Sequence, residues 1–205
     1  MTTALPPGWA KVELSTVCLP VSQQGPDKAT ETFRYVDLSA IDNKAKRIEQ
    51  ATTVATSSAP SRAKQVLKAG DVVFSTVRVY LENIALVPPE LDGEIASSAF
   101  CVLRPGSAVD PKYLYYFVTS RRFVQSVNDL QRGNSPPSVQ DGDVHNRVMP
   151  LAPKNEQVRI VSKIDELFSR IDEGERALEQ AQKLVERYRH SVLKAAVTGE
   201  LTREW

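Results

Sequence analysis

The feature that most constrains this chain is a regular apolar repeat between residues 160 and 195. Apolar side chains recur there at alternating steps of four and three, the heptad spacing of a helix that packs lengthwise against another helix. A stripe of about five heptads would leave an apolar edge in water unless a partner helix covered it. We therefore expect the helix to pair, through Ile164, Leu167, Ile171, Leu178, Val185, Tyr188 and Val192, with Ile160, Gly174, Ala181 and Ala195 at the remaining seam positions.

Further apolar side chains flank this seam. Val161 and Phe168 occupy e positions and Leu184 occupies a g position, so the stripe is wider than a two-stranded seam requires. We expect these three side chains to contact a further surface, either the chain's own globular part or another protein. A simpler alternative is a helix that folds back and packs wholly within its own domain, but a length of about forty residues disfavours it.

Composition places the chain among ordinary globular proteins. Its 205 residues, 41% hydrophobic and 25% charged, suffice for one domain and an extension. No apolar run approaches the ~20 residues of a membrane span, and the first residues lack the features of a signal peptide, so we expect a cytoplasmic protein with no membrane contact. With only two histidines, a multi-histidine metal site is excluded. The net charge of +1 lacks the basic excess typical of nucleic-acid binders, although phosphate contacts depend on local clusters of cations.

The residues before the heptad repeat have the pattern of mixed α and β structure. Short β-branched or aromatic runs, such as 71–77 and 99–103, alternate with Pro and Gly turns and predict strands. Asp110 followed by Pro111 predicts the start of a helix that runs to about Val127. Residues 133–143 have the composition of a loop.

We therefore predict an α+β, or mixed α/β, globular domain followed by a long C-terminal coiled-coil helix. Asn155 is the expected N-cap of that helix, which should run to about Val197, before Gly199. Forty residues would make a rod on the order of 60 Å long. The expected boundaries are 1–153 for the globular domain, 154–199 for the spacer and dimerisation helix, and 200–205 for a tail.

Two short patterns point weakly to catalysis. Residues 134–138, Asn-Ser-Pro-Pro-Ser, resemble the Asn-Pro-Pro-Tyr motif of amino-methyltransferases, but a serine interrupts the motif and Ser138 stands where an aromatic side chain should stack on the base. Pro26-Asp27 with Asp42-Asn43-Lys44 has the outline of a Mg²⁺-dependent nuclease motif, in which two carboxylates bind the metal and a lysine helps to activate water. Such short patterns arise often by chance, so nuclease activity is a minor alternative.

Six blocks of sequence, in order along nearly the whole chain, carry a family resemblance. They are Leu5–Trp9, Ala69–Arg78, Ser98–Pro105, Lys112–Phe117, Pro150–Pro153 with Glu156 and Gln157, and Ser191–Leu201. The first resembles a Leu-Pro-x-Gly-Trp start, the second a Gly-Asp-hydrophobic-hydrophobic-x-Ser segment, and the fifth a Pro-Leu-Pro-Pro…Glu-Gln passage that introduces a long helix. Together they resemble the specificity subunit of type I restriction-modification systems.

The resemblance implies a non-catalytic protein that selects the DNA sequence on which other subunits act. Residues 1–153 would be a target recognition domain that reads one half of a bipartite site in the major groove of double-stranded DNA. The long helix would act as a spacer and as a docking surface for DNA methyltransferase subunits, which would supply S-adenosylmethionine and methylate adenine. A restriction subunit with motor and nuclease activity would complete the enzyme. ATP and Mg²⁺ would likewise belong to partner subunits, and no cofactor is expected in this chain.

The chain departs from the family in one respect. Typical members carry two recognition domains and two long helices, whereas this sequence has one of each. It is either a naturally half-sized subunit or the first half of a longer one. In the first case two copies should pair antiparallel through the seam and read a palindromic bipartite site. In the second case a different domain would read the other half.

Polar side chains at two places are candidates to contact bases, because Arg, Asn, Ser and Thr reach the donor and acceptor edges in the groove. The candidates after the strand at 71–77 are Thr76, Arg78, Tyr80 and Asn83, and those in the Pro-Pro loop are Arg132, Asn134 and Ser135. Lys44, Lys46 and Arg47 are candidates for phosphate contacts, which position a protein without specifying sequence. The main alternative from another class is a coiled-coil adaptor with a globular head and no role on DNA.

Overall fold

The computed structural model describes residues 5–133 and 135–204 of the chain. They divide into two compact units, the first up to Val161 and the second from Ser162 onward. Every strand described lies in the first unit, and most of one long helix makes up the second. The predicted fold class, a mixed α and β domain followed by a long helix, is confirmed.

The described residues form twelve strands, five α-helices and five short 3-10 helices. The strands are β1 (Ala10–Glu13), β2 (Cys18–Leu19), β3 (Thr32–Val36), β4 (Ile41–Asp42), β5 (Arg47–Ile48), β6 (Thr52–Ala55), β7 (Ala63–Val66), β8 (Val72–Ser75), β9 (Ile84–Leu86), β10 (Ile95–Ser97), β11 (Phe100–Pro105) and β12 (Val148–Leu151). The α-helices are α1 (Leu14–Val17), α2 (Pro111–Val118), α3 (Arg121–Asn128), α4 (Asp141–His145) and α5 (Lys154–Val197). The 3-10 helices lie at Leu38–Ala40, Thr56–Ser58, Val79–Leu81, Pro89–Leu91 and Glu200–Thr202.

Two four-stranded sheets form the body of the first unit. One has the order β2-β11-β8-β9 with every neighbouring pair antiparallel. The other has the order β6-β3-β10-β7, in which only β3 and β10 are parallel. Two smaller antiparallel pairs complete the strands, β1 with β12 and β4 with β5. The β4–β5 hairpin and the loop after β8 carry most of the predicted DNA-binding residues.

The central strands β8 and β11 are buried on both faces. Successive side chains of a strand point to opposite faces. Val72 and Phe74 accordingly join a core with helices α2 and α3, whereas Val73 joins a second core with residues of the other sheet. In β11, Cys101 and Leu103 lie in the first core and Phe100 and Val102 in the second. This double burial explains why both strands are continuously apolar in the sequence.

A buried ion pair joins β11 to the residue that directly precedes β8. The Arg104 guanidinium donates to both carboxylate oxygens of Asp71, over 3.0 and 2.7 Å, and to the Val66 carbonyl oxygen over 2.8 Å. The same Asp71 carboxylate accepts the Lys68 backbone N–H over 2.8 Å. A pair with its remaining hydrogen-bonding groups satisfied in this way tolerates burial, whereas either charge left alone would not.

Helix α5 is attached to the first unit by the fully buried side chain of Gln157. Its amide nitrogen donates to the carbonyl oxygens of Ala152 (2.8 Å) and Ala108 (3.0 Å), and its amide oxygen accepts the Asp110 N–H over 2.8 Å. One residue earlier, Glu156 accepts the indole N–H of Trp9 over 3.1 Å. The Glu-Gln pair singled out in the sequence therefore joins the first turn of α5 to three other segments.

Three predicted element boundaries are wrong. The helix expected from Asp110 to Val127 is two helices, because the Ser120 hydroxyl caps a second helix by accepting the Phe123 N–H. The expected loop at 133–143 ends in helix α4, where the Asp143 carboxylate accepts the Gln140 N–H. The long helix begins at Lys154, with the Pro153 carbonyl rather than Asn155 accepting its first backbone bonds.

The buried amide predicts a large stability loss on removal. Gln157→Leu keeps the volume but leaves two carbonyls and one N–H without their partner, and each buried unsatisfied group costs about 1–3 kcal/mol. We expect the free energy of unfolding to fall by at least about 2 kcal/mol in urea titrations followed by circular dichroism. Gln180→Leu, on an exposed position of the same helix, is the control and should change it by less than about 0.5 kcal/mol. Equal effects of the two substitutions would contradict the assigned role of Gln157.

Candidate functional site

Three loops that are distant in sequence lie together in the first unit. The Arg78 N–H donates to the Pro137 carbonyl over 3.0 Å, and the Asn43 amide donates to the Leu81 carbonyl over 3.1 Å. The Val79 N–H donates to the side-chain oxygen of Gln131 over 3.1 Å. We call this group, residues 43–47, 76–83, 131–133 and 135–138, the loop cluster.

The loop cluster contains unusual backbone geometry. Lys46, Arg78 and Glu82 have φ angles of 54°, 50° and 54°, and they are the only non-glycine residues with positive φ in the described ranges. Such conformations cost about 1–3 kcal/mol each and persist where the surrounding structure enforces them, most often at functional sites. Their concentration in one place marks the loop cluster as the strongest candidate site in the first unit.

The predicted DNA-binding residues converge on this cluster. Lys44, Arg47, Arg78, Tyr80, Arg132 and Ser135 are exposed. Lys46 is half-buried, and its ammonium donates to the carboxylate (2.6 Å) and the backbone carbonyl (3.0 Å) of Glu82, so it holds the loop in place. Asn134 lies outside the described residues. Sequence spacing alone did not show that residues 44–47 would meet the other two loops.

Two members of the predicted set are poorly placed to contact bases. Thr76 is buried, and its hydroxyl donates to the Ala99 carbonyl over 2.9 Å. Asn83 is also buried, and its backbone carbonyl accepts the Ser75 N–H. Thr76 directly follows β8, and Asn83 directly precedes β9. We therefore assign them to the support of the loop rather than to its DNA-facing surface.

Ion pairs offset part of the positive charge of the site. Arg47 pairs with Glu49 over 2.6 Å, and Arg132 donates to both carboxylate oxygens of Asp143 over 2.9 and 3.0 Å. The bonds from Arg132, aided by the Gln140 N–H, lower the pKa of Asp143 below its ordinary value and so favour its carboxylate form. In the part of the chain that the structure describes, Arg78 and Lys44 make no salt bridge. These two cations are therefore the ones most available to an anionic ligand.

A second basic surface lies elsewhere in the first unit. It is a groove of about 840 Å³ whose lining includes Lys11, Arg122 and Arg147 and no acidic residue. The Nε of Arg147 is buried and has no hydrogen-bond partner among the described residues. No residue of the loop cluster lines this groove. The sequence does not indicate this groove, because its three cations come from β1, α3 and the segment before β12, and no local spacing links them.

The carboxylates of the nuclease-like pattern serve local turns. Asp42 accepts the backbone N–H groups of Lys44 (2.8 Å) and Ala45 (3.0 Å), and these bonds lower its pKa. Asp27 accepts the Ala29 N–H over 2.9 Å. Residues 5–133 and 135–204 contain no group of three or more His, Cys, Asp and Glu side chains arranged to hold a metal ion. The same part of the chain has no helix long and apolar enough to cross a membrane.

The seam of helix α5 is open to solvent along most of its length. Exposure of the predicted pairing residues from Leu167 onward runs from 36% at Val192 to 73% at Tyr188, and Ile164 is half-buried. Phe168 and Leu184, predicted to dock a further partner, are both more than half exposed. Val161 is different, because it is buried in the core of the first unit and offers no surface to a partner. We therefore remove Val161 from the docking set.

Comparison with known proteins relates both units to one family, although no family model matches the chain. The chain is 29% identical over 113 residues to the type I restriction enzyme EcoKI specificity subunit of Escherichia coli K12, and the aligned region is 55% of this chain and 24% of that protein. It is 31% identical over 110 residues to the type I restriction enzyme StySPI specificity subunit of Salmonella potsdam, and that aligned region is 53% of this chain and 24% of the relative.

Solved structures extend the similarity to almost the whole chain. The HsdS subunit from Thermoanaerobacter tengcongensis matches 97% of this chain with a TM-score of 0.85 and 41% identity. A chain from a solved structure of the type I R-M system matches the same share with a TM-score of 0.78 and 40% identity. Over nearly its whole length the chain therefore resembles type I specificity subunits, as the sequence predicted. It spans half the length of both solved chains.

The open seam of helix α5 predicts self-association. Leu178→Glu with Val185→Glu places two charges on the seam, where a partner helix would have to bury them. We expect sedimentation equilibrium to give twice the 22.7 kDa chain mass for the unmodified protein and the single chain mass for this variant.

Gln180→Glu with Arg187→Glu is the matched control, since these positions have the same spacing on the polar side of the helix. The control should retain the dimer mass. A dimer that survives the seam substitutions would show that the seam is not the interface.

Proposed function

We propose that this chain selects the DNA sequence on which a type I restriction-modification enzyme acts. In this proposal residues 1–153 form a target recognition domain that reads one half of a bipartite site in double-stranded DNA. Residues 154–199 form the spacer that sets the distance to a second reader, followed by a short tail. The chain itself is non-catalytic, and methylation and cleavage belong to other subunits.

The similarity to the HsdS subunit carries the proposal. It spans 97% of this chain but half of that one. One globular unit and one long helix therefore match half of the HsdS chain. The curated relatives of this chain are named as specificity subunits. The family resemblance implies that the other half is a second reader with a second helix. A second copy of this chain, or a second half-subunit, would fill that role through the seam.

The loop cluster is the proposed DNA-facing surface. Arg78 has a guanidinium without a salt bridge in the described ranges, and Arg and Ser side chains at exposed loops are suited to base edges in the major groove. We assign base contacts to Arg78, Arg132 and Ser135, and also to Asn134, which the sequence predicts. We assign phosphate contacts to Lys44 and Arg47. Arg132 and Arg47 would have to exchange their carboxylate partners for DNA, which makes Arg78 the leading candidate.

Protein partners are assigned to the long helix. Phe168 and Leu184 flank the seam and are exposed, so they are the proposed contacts for the DNA methyltransferase subunits. Those subunits would bind S-adenosylmethionine, and a restriction subunit would bring the ATP- and Mg²⁺-dependent steps. We expect the assembled enzyme in the cytoplasm.

A coiled-coil adaptor without a DNA role is the competing function, and the exposed seam favours it equally. The two differ in what the loop cluster does. An adaptor gives no reason for three left-handed residues to support a surface with exposed arginine. A specificity subunit does, because base readout needs donors held at fixed positions.

The proposal predicts that Arg78 contributes more to DNA binding than Arg122 does. In the complex with the methyltransferase subunits, Arg78→Ala should weaken binding to the duplex that the complex methylates by about 5- to 150-fold, as expected for one lost base contact. Arg122→Ala removes an exposed arginine of the basic groove and should have less than about a threefold effect. Filter binding measures both.

Each other outcome has a definite meaning. If Arg122→Ala has the larger effect, DNA lies along the groove and the loop cluster is the wrong surface. If the unmodified complex binds no DNA in a sequence-dependent way, the adaptor is the better description.

A further inference from the structure

Two bulky apolar side chains stand on the surface of the loop cluster. Tyr80 is 55% exposed and Leu81 is 39% exposed, and they are adjacent in the 3-10 helix Val79–Leu81. Val79, the residue before them, is buried in the core. The turn therefore presents Tyr80 and Leu81 outward from a buried base.

The backbone beneath these side chains is held at both ends. Arg78 before the turn and Glu82 after it are both left-handed, a conformation that nothing in their own side chains favours. Four hydrogen bonds fix it from outside the turn: Arg78 N–H to Pro137, Val79 N–H to Gln131, the Asn43 amide to Leu81 and the Lys46 ammonium to the Glu82 carbonyl. A loop that costs strain energy and is held by two other segments serves to keep its exposed side chains in one position.

The surroundings of the pair favour a nucleic acid over a protein. The exposed guanidinium of Arg78 immediately precedes the turn, and Lys44 lies in the hairpin whose Asn43 contacts it. Two side chains are far too small a patch for a stable protein interface, which needs about 800 Å² from each partner. An aromatic ring beside an aliphatic side chain, flanked by cations, has the chemistry of a wedge that separates stacked bases.

We propose that Tyr80 and Leu81 enter a base-pair step of the bound duplex and unstack it. The inference rests on the proposed DNA-recognition function and adds a means of selection to it. The cost of unstacking depends on the step, and pyrimidine–purine steps open most easily. The chain would thus discriminate at a position where no side chain forms a hydrogen bond to a base.

The test uses the complex with the methyltransferase subunits and the duplex that it methylates, with 2-aminopurine at one position at a time. Fluorescence should rise on binding at one step other than the methylated adenine, which the methyltransferase itself is expected to flip out. Tyr80→Ala with Leu81→Ala should abolish that rise and weaken binding about 5- to 150-fold. Tyr80→Phe keeps the ring and should keep both signals. Leu19→Ala, an exposed leucine of β2, is the matched control and should change neither.

The outcomes separate the wedge from the proposed function. If the complex binds and Arg78→Ala weakens it, but no second position gains fluorescence or the double variant binds normally, the wedge is wrong and the recognition function stands. If the double variant folds but no longer associates with the methyltransferase subunits, the pair contacts protein and the wedge is also wrong. If no duplex is bound or methylated, the recognition function fails and the wedge fails with it.

Discussion

The hydrogen bonds of Gln157 are the interaction on which the placement of helix α5 depends most. Its amide is fully buried and binds Ala108 and Asp110 in one stretch of the first unit and Ala152 in another. These bonds lie in the first turn of a helix that continues for 44 residues to Val197. A helix whose start is fixed in this way can act as a spacer, because its remaining length of roughly 60 Å is then defined by the sequence.

The loop cluster is likewise held in place by hydrogen bonds between segments that are distant in sequence. The backbone that carries its exposed side chains is held by side chains of other segments: Gln131, Asn43 and Lys46 bind backbone atoms of residues 79–82. The Tyr115 hydroxyl in turn donates to the Lys46 carbonyl over 3.1 Å. Local strain at Lys46, Arg78 and Glu82 is thus balanced by bonds from elements far away in sequence. Such a surface can present cations and an aromatic ring without first ordering them on binding.

The helices were predictable from the sequence where a local signal, such as apolar periodicity or a capping residue, marks them. The heptad spacing and Gly199 predicted a long helix that ends at about Val197, and Asp110 caps α2 through the Lys112 and Tyr113 N–H groups as expected. The break at Ser120 was missed, because apolar spacing continues across it. The contacts within the loop cluster could not be predicted from the sequence for a different reason. Nothing local in residues 44–47 indicates that they meet the loop after β8, and the burial of Thr76, Asn83 and Val161 depends on the packing of whole elements.

We propose that this chain decides which DNA sequence is modified. The most direct test is to map methyladenine across the genome of cells that express the methyltransferase subunits with and without this chain. The account predicts methylation at one bipartite sequence that appears only when the chain is present, and a palindromic one if two copies pair. Methylation at the same positions in its absence, or at none in its presence, would contradict the claim.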